Sequence, residues 1–211
     1  VDGGYGNVAA YGNLAWGGPD WRTLFIPAST SVYTIRTTAA GDNLNSGKTP
    51  DQPMKTLAAL LDAYDLDAGD VIYVDTGSYR LYRNALFVAA DSGVAVQGPG
   101  QPARAAVLDR GNTAEGSYVF QLSGADDVTL SHLAITGAYT GMYAADNVDS
   151  DGLTIEGSEV YGHGEGGQIY SAGIWLGVGN EDAELTGNSV HDNAHHGIYL
   201  EGAQATVRGG A

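Results

Sequence analysis

Histidine and acidic side chains are concentrated in the last third of the sequence. His191, His195 and His196 lie close together, and His163 precedes them by about one repeat. An imidazole beside a carboxylate can act as a general base or acid near neutral pH. One interpretation is therefore proton-transfer catalysis by these four histidines. The alternative, which turn chemistry alone supports, is that His and Asn side chains lie in turns and bond to the neighbouring repeat.

Proton abstraction from an anionic sugar would also need a positive charge beside the substrate carboxylate. No Lys or Arg occurs between Arg110 and Arg208. Calcium would have to supply that charge, and carboxylate oxygens are its preferred ligands. The candidate calcium ligands are Asp146, Asp149 and Asp151. The competing interpretation is an ordinary turn, because Asp stabilises turns without a metal.

Aromatic side chains form a third candidate site, since their faces can stack on sugar rings. The predicted binding residues are Tyr143, Tyr161, Tyr170 and Trp175. Tyr143, Trp175 and Tyr199 share one position in a repeated strand element, so we expect them to form a ladder. Period-two alternation leaves open whether that ladder faces the core or the solvent.

Composition excludes several classes of protein. The chain has 25 acidic and 9 basic residues and a formal net charge of -16, so it would repel a phosphate backbone and we predict no nucleic-acid partner. It contains no cysteine, so disulfides cannot stabilise it. No apolar run approaches the roughly 20 residues that cross a bilayer, and no membrane span is predicted. The 32 glycines follow no collagen period and predict many tight turns.

A repeat organises the second half of the chain. A short apolar strand, a polar turn and a second strand recur at residues 127–135, 152–160, 182–190 and 204–209. Equivalent positions are Val128, Leu153, Ala183 and Ala205, giving steps of 25, 30 and 22 residues. Such steps are too long for sandwich hairpins and too short for propeller blades. They predict a solenoid of about five coils with parallel stacked strands, in which Val128, Leu130, Leu153 and Ile155 point into the core.

Upstream of the repeats, residues 51–64 have the spacing of an amphipathic helix. Pro53 suits its first turn, and one face carries Leu57, Leu60, Leu61 and Tyr64. The open end of a solenoid exposes unpaired strand edges and core side chains. We therefore interpret this helix as the N-terminal cap of the solenoid.

Several segments resemble bacterial right-handed β-helix repeat proteins. Gly41-Asp-Asn43, Gln52-Pro53 and Gly69-Asp-Val-Ile-Tyr-Val74 resemble their N-terminal cap and first coil. Asn188-Ser-Val-His-Asp-Asn193 and His196-Gly-Ile-Tyr-Leu200 resemble their repeat unit. The resemblance implies an all-β solenoid, a right-handed parallel β-helix with an N-terminal amphipathic capping helix.

The resemblance also suggests a division of the chain. Ala9-Ala-Tyr-Gly-Asn13 resembles a motif that closes β-helix domains in large bacterial surface proteins. Residues 1–30 are therefore predicted to be the end of a preceding module or a partner-docking strand. Residues 31–211 are predicted to be the β-helix, open at its C-terminal end. Either the natural protein continues there, or the open end pairs head to tail with residues 1–30 of another copy and builds a filament.

Two hypotheses for function follow from this family, which includes polysaccharide lyases, C5-epimerases and surface proteins without known activity. The first is an extracellular or cell-surface structural or adhesive module that binds a polysaccharide or cell-surface glycan, together with calcium. The shortage of basic residues and the open end favour it. The second is a lyase or C5-epimerase acting on uronate polymers through the histidines. Whether the chain is an enzyme stays open.

Overall fold

The computed structural model describes residues 15–17, 23–25, 32–35, 41–100 and 105–209. In the predicted N-terminal segment, strand β1 (Ala15–Gly17) pairs antiparallel with β2 (Thr23–Phe25). The rest of residues 1–30, including the motif at residues 9–13, lies outside the described residues. Strand β3 (Val32–Ile35) pairs in parallel with β4 (Val71–Val74), so the solenoid sheet extends upstream of the capping helix.

Parallel strands that wind around a common core make up the main body. They are β4 (Val71–Val74), β5 (Gly77–Arg80), β6 (Ala85–Val88), β7 (Ala95–Gln97), β8 (Ala106–Asn112), β9 (Tyr118–Ser123), β10 (Thr129–Ser131), β11 (Leu133–Ala138), β12 (Thr140–Ala144), β13 (Thr154–Glu156), β14 (Glu159–Tyr161), β15 (Ala172–Leu176), β16 (Ala183–His191), β17 (His196–Leu200) and β18 (Ala205–Gly209). A 3₁₀ turn covers Ala89–Asp91.

These strands stack into three parallel sheets, one on each side of the solenoid. The first sheet has the order β3-β4-β7-β10-β13-β16-β18, the second β5-β8-β11-β14-β16, and the third β6-β9-β12-β15-β17. Strand β16 runs unbroken through the corner, because Leu185 pairs with Ile155 in the first sheet and Val190 pairs with Val160 in the second. The five coils from β4 to β17 each contribute to all three sheets, whereas β3 and β18 extend the first sheet alone. The predicted solenoid of parallel coils is confirmed.

Aliphatic side chains at equivalent positions fill the core. In the first sheet one position is occupied by Ile72, Val96, Leu130, Ile155 and Leu185, each at most 2% exposed. Alternate residues of a strand face opposite sides, so one row from each sheet points inwards. Burial of these rows supplies the main driving force for folding, because the chain has no disulfide.

The predicted capping helix is present but shorter than expected. Helix α1 covers Leu57–Ala63, and the Oγ1 of Thr56 caps it by accepting a 3.2 Å hydrogen bond from the amide of Ala59. Leu57 and Leu60 are fully buried and belong to the same core cluster as the first coil. The predicted start near residue 51 is wrong, because Thr56 satisfies the helix N-terminus and Pro53 lies in the turns before it. Within the described residues, no helix is long and apolar enough to cross a membrane.

Candidate functional site

The third sheet carries a row of aromatic residues on its outer face. Tyr143 pairs with Trp175 in β12 and β15, and Trp175 pairs with Tyr199 in β15 and β17. Their strand neighbours Met142 and Ile174 are fully buried. Since neighbouring residues alternate between the two faces, the aromatic side chains lie on the solvent side, where each is partly exposed. The row faces outwards, which sequence alternation had left open.

Ring contacts extend this row into one surface. Tyr118 stacks on Tyr143, with centroids 4.1 Å apart and planes inclined by 14°. The ring centroid of Trp175 lies 4.6 Å from that of Tyr199, 6.1 Å from that of Tyr143 and 6.3 Å from that of Tyr170. We call these five residues the aromatic ladder. It contains three of the four predicted binding residues.

Two loops hold the exposed flank of the aromatic ladder. The Nε2 of Gln168 donates a 3.0 Å hydrogen bond to the carbonyl of Thr113, and the hydroxyl of Thr113 donates to the carboxylate of Glu165. These contacts join a loop of the second coil to a loop of the fourth. The second of these loops ends at Tyr170, which is 60% exposed beside Trp175. The flank therefore combines a fixed backbone with an accessible ring.

Polar side chains occupy the N-terminal end of the same face. Gln121 pairs with Tyr143 across the sheet, and its Oε1 accepts a 3.0 Å hydrogen bond from the Nδ2 of Asn84. The Oδ1 of Asn84 accepts from the amide of Tyr118 at 2.9 Å and from the Nε of Arg110 at 3.3 Å. Asn84 thus orients Gln121 and keeps the side-chain amide of Gln121 at the end of the aromatic ladder that begins with Tyr118. Stacking faces beside fixed hydrogen-bonding groups are typical of small-molecule sites.

The charge around the aromatic ladder is negative. Burial raises the pKa of Tyr118, the neighbouring Tyr143 raises it further, and the carboxylate of Glu115 adds to the same effect. Glu165 lies in the flanking loop and is exposed. The strands that carry Tyr143, Trp175 and Tyr199 contain no Lys or Arg. A ligand on this face would meet aromatic rings, amides and carboxylates.

The predicted catalytic residue His163 is fully buried at the corner between the second and third sheets. Its Nδ1 accepts a 3.3 Å hydrogen bond from the amide of Ala138, and its Nε2 lies 3.1 Å from the carbonyl of Ile135. Burial lowers its pKa from 6.5 to about 4, although the hydrogen bond to the carbonyl of Ile135 opposes the shift. His163 is therefore neutral near pH 7 and joins two coils instead of facing a ligand.

The predicted catalytic residue His191 lies on a different surface, the outer face of the second sheet. Its ring stacks on Tyr161 with centroids 5.5 Å apart. Its Nε2 and Nδ1 lie 2.9 Å from carboxylate oxygens of Glu159 and Asp192, and the hydrogen bond to Glu159 is the larger cause of its raised pKa. Tyr161, predicted to bind sugar with the other aromatics, belongs to this cluster and lies apart from the aromatic ladder.

The remaining predicted histidines, His195 and His196, precede or begin β17. Their rings meet edge to face at 3.9 Å, and His196 lies 4.8 Å from Tyr199 at the end of the aromatic ladder. The four histidines therefore occupy the interior, the second sheet and the start of β17. The structure does not bring them onto the common lateral face that proton-transfer catalysis was expected to use.

Comparison with known proteins identifies the family. A family described as right-handed β-helix region matches residues 67–209, which is more than half of the chain. The chain belongs to the right-handed β-helix family. The predicted resemblance and fold class are confirmed. No curated protein sequence matches this β-helix.

Three solved structures match this β-helix over part of their length. The GH136 lacto-N-biosidase from Eubacterium ramulus is 18% identical, with a TM-score of 0.53 over 82% of this chain and 41% of that one. Pectin methylesterase PemA from Erwinia chrysanthemi is 13% identical, with a TM-score of 0.43 over 77% and 51% of the two chains. A rhamnogalacturonan lyase is 14% identical, with a TM-score of 0.43 over 83% and 51%. The chain spans about two fifths to half of the length of these proteins, and the likeness shows the fold alone.

The predicted calcium ligands lie in corner turns of the β-helix. The Oδ1 of Asp146 accepts a 2.9 Å hydrogen bond from the amide of Val178, and the Oδ1 of Asp151 accepts one of 2.7 Å from the amide of Glu181. Asp149 is exposed and adopts a positive φ of 56°. Over the part of the chain that the structure describes, no three His, Asp or Glu side chains converge as metal ligands would. The carboxylates of Asp146 and Asp151 therefore bond the corner turn of the next coil.

Three residues of the site, Tyr118, Gln121 and Tyr199, are not among the predicted binding residues. Tyr118 begins a copy of the repeated strand element at residues 118–122, but the position in that copy that pairs with Tyr143 is Gln121, so the repeat did not mark Tyr118. Tyr199 was expected in the ladder but was left out of the predicted binding residues. Gln121 carried no local signal, because its role depends on Asn84 in the preceding coil of the β-helix.

Proposed function

We propose that this β-helix binds a neutral glycan along the aromatic ladder and serves as a structural or adhesive unit of an extracellular or cell-surface protein. The aromatic ladder is the observation that carries this proposal. Its rings are partly exposed, lie in successive coils and have hydrogen-bonding amides at one end. Aromatic faces offer large contact areas for the apolar face of a sugar ring at little entropic cost.

The shape of the aromatic ladder suits a chain of sugars more than a single one. Neighbouring coils are about 4.8 Å apart, so the rungs from Tyr118 to Tyr199 cover roughly 14 Å. The surface is an open strip along the axis of the solenoid, with the loop of Tyr170 as one wall. A short oligosaccharide could therefore lie along it, with one sugar near each rung.

The charge distribution favours neutral sugars over uronates. Glu115 and Glu165 flank the aromatic ladder, while the sequence has no Lys or Arg between Arg110 and Arg208. Each uronate would bring another negative charge into this field, and like charges repel. The separation of the four histidines gives no support to the alternative of a uronate lyase or epimerase. The name lacto-N-biosidase denotes action on a carbohydrate, but the aromatic ladder, not that likeness, carries this proposal.

Head-to-tail association through the last coil and residues 1–30 stays a prediction of the sequence. Its measurement is the molar mass of the full chain by light scattering across a wide concentration range. A mass that rises with concentration would support it, and a constant monomer mass would contradict it. Calcium added in a parallel series would show whether the cation has any part in assembly.

Glycan binding is tested by titrating the full chain with neutral oligosaccharides, namely cellohexaose, xylohexaose and chitohexaose, and with an oligogalacturonate. Isothermal titration calorimetry and tryptophan fluorescence report binding. Trp175→Ala is expected to weaken binding of the neutral ligand about tenfold or more, because a central stacking face is lost. The matched control is Tyr73→Ala, which removes a ring that is 43% exposed on the first sheet.

The outcomes of this titration separate the alternatives. Binding of a neutral oligosaccharide that Trp175→Ala weakens and Tyr73→Ala leaves unchanged supports the proposal. Absence of binding to every neutral ligand, or binding that Trp175→Ala does not alter, contradicts it. Preferential binding of oligogalacturonate would overturn the assignment to neutral sugars.

A further inference from the structure

A second candidate site is concave and lies at the end of the solenoid opposite the last coil. It is a cleft of ≈ 360 Å³ between strand β5 and the segment that enters helix α1. Buried Leu57, Tyr79 and Leu81 form its floor, and Tyr82, which is 82% exposed, stands at its rim. The remaining lining residues are Lys55, Thr56, Ser78 and Arg80. The cleft thus combines an apolar floor, an accessible aromatic ring, hydroxyl groups and two cations.

Positive charge around this cleft is incompletely neutralised, although the chain has 25 acidic residues. Arg80 bonds the carboxylate of Asp109 at 3.0 Å and also donates a 2.6 Å hydrogen bond to the carbonyl of Gly111. Neither Lys55 nor Arg110 has an ion pair with any described residue. Arg110 donates at 3.2 Å to the carbonyl of Leu81, a residue of the cleft. Burial lowers the pKa of Arg110, and the positive charge of Arg80 lowers it further, so the two guanidinium groups are close.

Nearby acidic side chains do not remove this excess. Asp62 is already paired with Arg83 outside the cleft, and the Oδ1 of Asp109 also accepts a hydrogen bond from the amide of Gly111. Of these three cations, only Arg80 has an ion pair with a described residue, so Lys55 and Arg110 carry unpaired positive charge at the surface of a strongly acidic protein. Like charges held together in this way raise the energy of the free protein, and an anion would relieve it.

We propose that this cleft binds an anionic monosaccharide unit, with the oxyanion held by Lys55 and Arg80 and the sugar ring against Tyr82. The carboxylate of a sugar acid and the phosphate of a sugar phosphate share this chemistry. A guanidinium group and an ammonium group suit either oxyanion. The site is separate from the aromatic ladder, which lies on the third sheet in later coils and whose strands contain no Lys or Arg. The inference therefore stands whether or not the aromatic ladder binds a neutral glycan.

The test is an NMR titration of the full chain with galacturonate, glucose 6-phosphate and glucose as separate probes. Amide shifts are expected to move at Lys55, Ser78, Arg80 and Tyr82 with the anionic probes and to stay unchanged with glucose. Affinity should be in the millimolar range, because the cleft is open and ligand contacts are few. Lys55→Gln and Tyr82→Ser should each lower the affinity for the anionic probes about fivefold, as expected for exposed ion and ring contacts.

Two controls keep the outcome interpretable. Arg208→Gln removes the same charge from a distant exposed strand and should leave the affinity unchanged. Trp175→Ala should also leave it unchanged, which separates this site from the aromatic ladder. Binding of galacturonate alone assigns a carboxylate, and binding of both anions assigns a general oxyanion site. No localised shift with either anion, equal binding of glucose, or an equal loss in Arg208→Gln overturns the proposal.

Discussion

The backbone amide of His163 donates a 3.2 Å hydrogen bond to the Oδ1 of Asn193, one coil further along the stack. The Nδ2 of Asn193 donates in turn to the carbonyl of Val160, while the ring of His163 accepts from the amide of Ala138 one coil earlier. These side chains link three coils at a corner where the strand ladder is interrupted. They satisfy backbone groups that would otherwise be buried without partners.

Acidification is expected to destabilise the protein through His163. Its pKa is about 4 in the folded protein and near 6.5 when unfolded, so the unfolded chain binds the proton first. Its contribution is fully present above pH 6.5 and is lost as the pH falls towards 4, at a cost of roughly 3 kcal/mol. Urea unfolding between pH 7 and pH 4 measures this. His163→Gln should reduce the loss of unfolding free energy between pH 7 and pH 4. His195→Gln, at an exposed position, should leave that loss unchanged.

Asn180 is expected to be essential for the corner between the third and first sheets. It is 1% exposed, its Oδ1 accepts from the amide of Ser150, and its Nδ2 donates to the carbonyls of Ala145 and Gly177. Asn180→Ala leaves these buried groups unpaired and should lower the free energy of unfolding by about 2–5 kcal/mol. Chemical denaturation tests this, with exposed Gln204→Ala as a near-neutral control. Equal stability of the two variants would contradict the role of Asn180.

Gly173 is expected to tolerate no larger side chain. A Cβ there would lie 2.6 Å from the carbonyl oxygen of Gly197 and 2.9 Å from the Nδ2 of Asn193. Gly173→Ala must push the strand away from the neighbouring coil and should cost about 1–3 kcal/mol. Gly166→Ala is the matched control, because nothing lies within 4 Å of its Cβ and its φ is unstrained. Thermal unfolding compares the two, and a common melting temperature would refute the predicted clash.

Substitutions at the same core position should change the stability of the protein by different amounts in the middle and in the last described strand of the solenoid. Ile155 is fully buried between Leu130 and Leu185, whereas Val207 on the last described strand is 53% exposed. Ile155→Ala should lower the free energy of unfolding by about 2–5 kcal/mol through the lost burial and the cavity. Val207→Ala should change it by less than about 1 kcal/mol. Urea titrations measure both, and similar losses would indicate that a further coil or partner covers Val207.

Strand repeats were predictable because alternation and spacing are local properties. Residues 127–135 contain β10 and the first half of β11, and residues 152–160 contain β13 and all but the last residue of β14. Val128, Leu130, Leu153 and Ile155, predicted to face the core, are at most 1% exposed. Turn-forming Asp and Asn residues likewise occupy corners, as their side-chain chemistry suggests. Period and side-chain direction therefore follow from the order of residues alone.

The start of the capping helix was less predictable because a distant side chain shapes it. The Oδ1 of Asn43 accepts hydrogen bonds of 3.0 Å from the amides of both Lys55 and Thr56. These bonds hold the segment before Leu57 outside the helix. Pro53, which suits a first helical turn, extended the predicted helix back to residue 51, but such a local signal carries no information about a partner twelve or more residues away.

The sequence by itself determined the coil period, the inward rows, the acidic charge and membership of the β-helix family. Only the tertiary structure decided that His163 is buried while His191 is exposed, and that Tyr143, Trp175 and Tyr199 face the solvent. The physical reason is that coils of unequal length bring residues about 25 to 30 positions apart into contact. Which contacts form depends on the path of each corner, so residues of the same type received different environments.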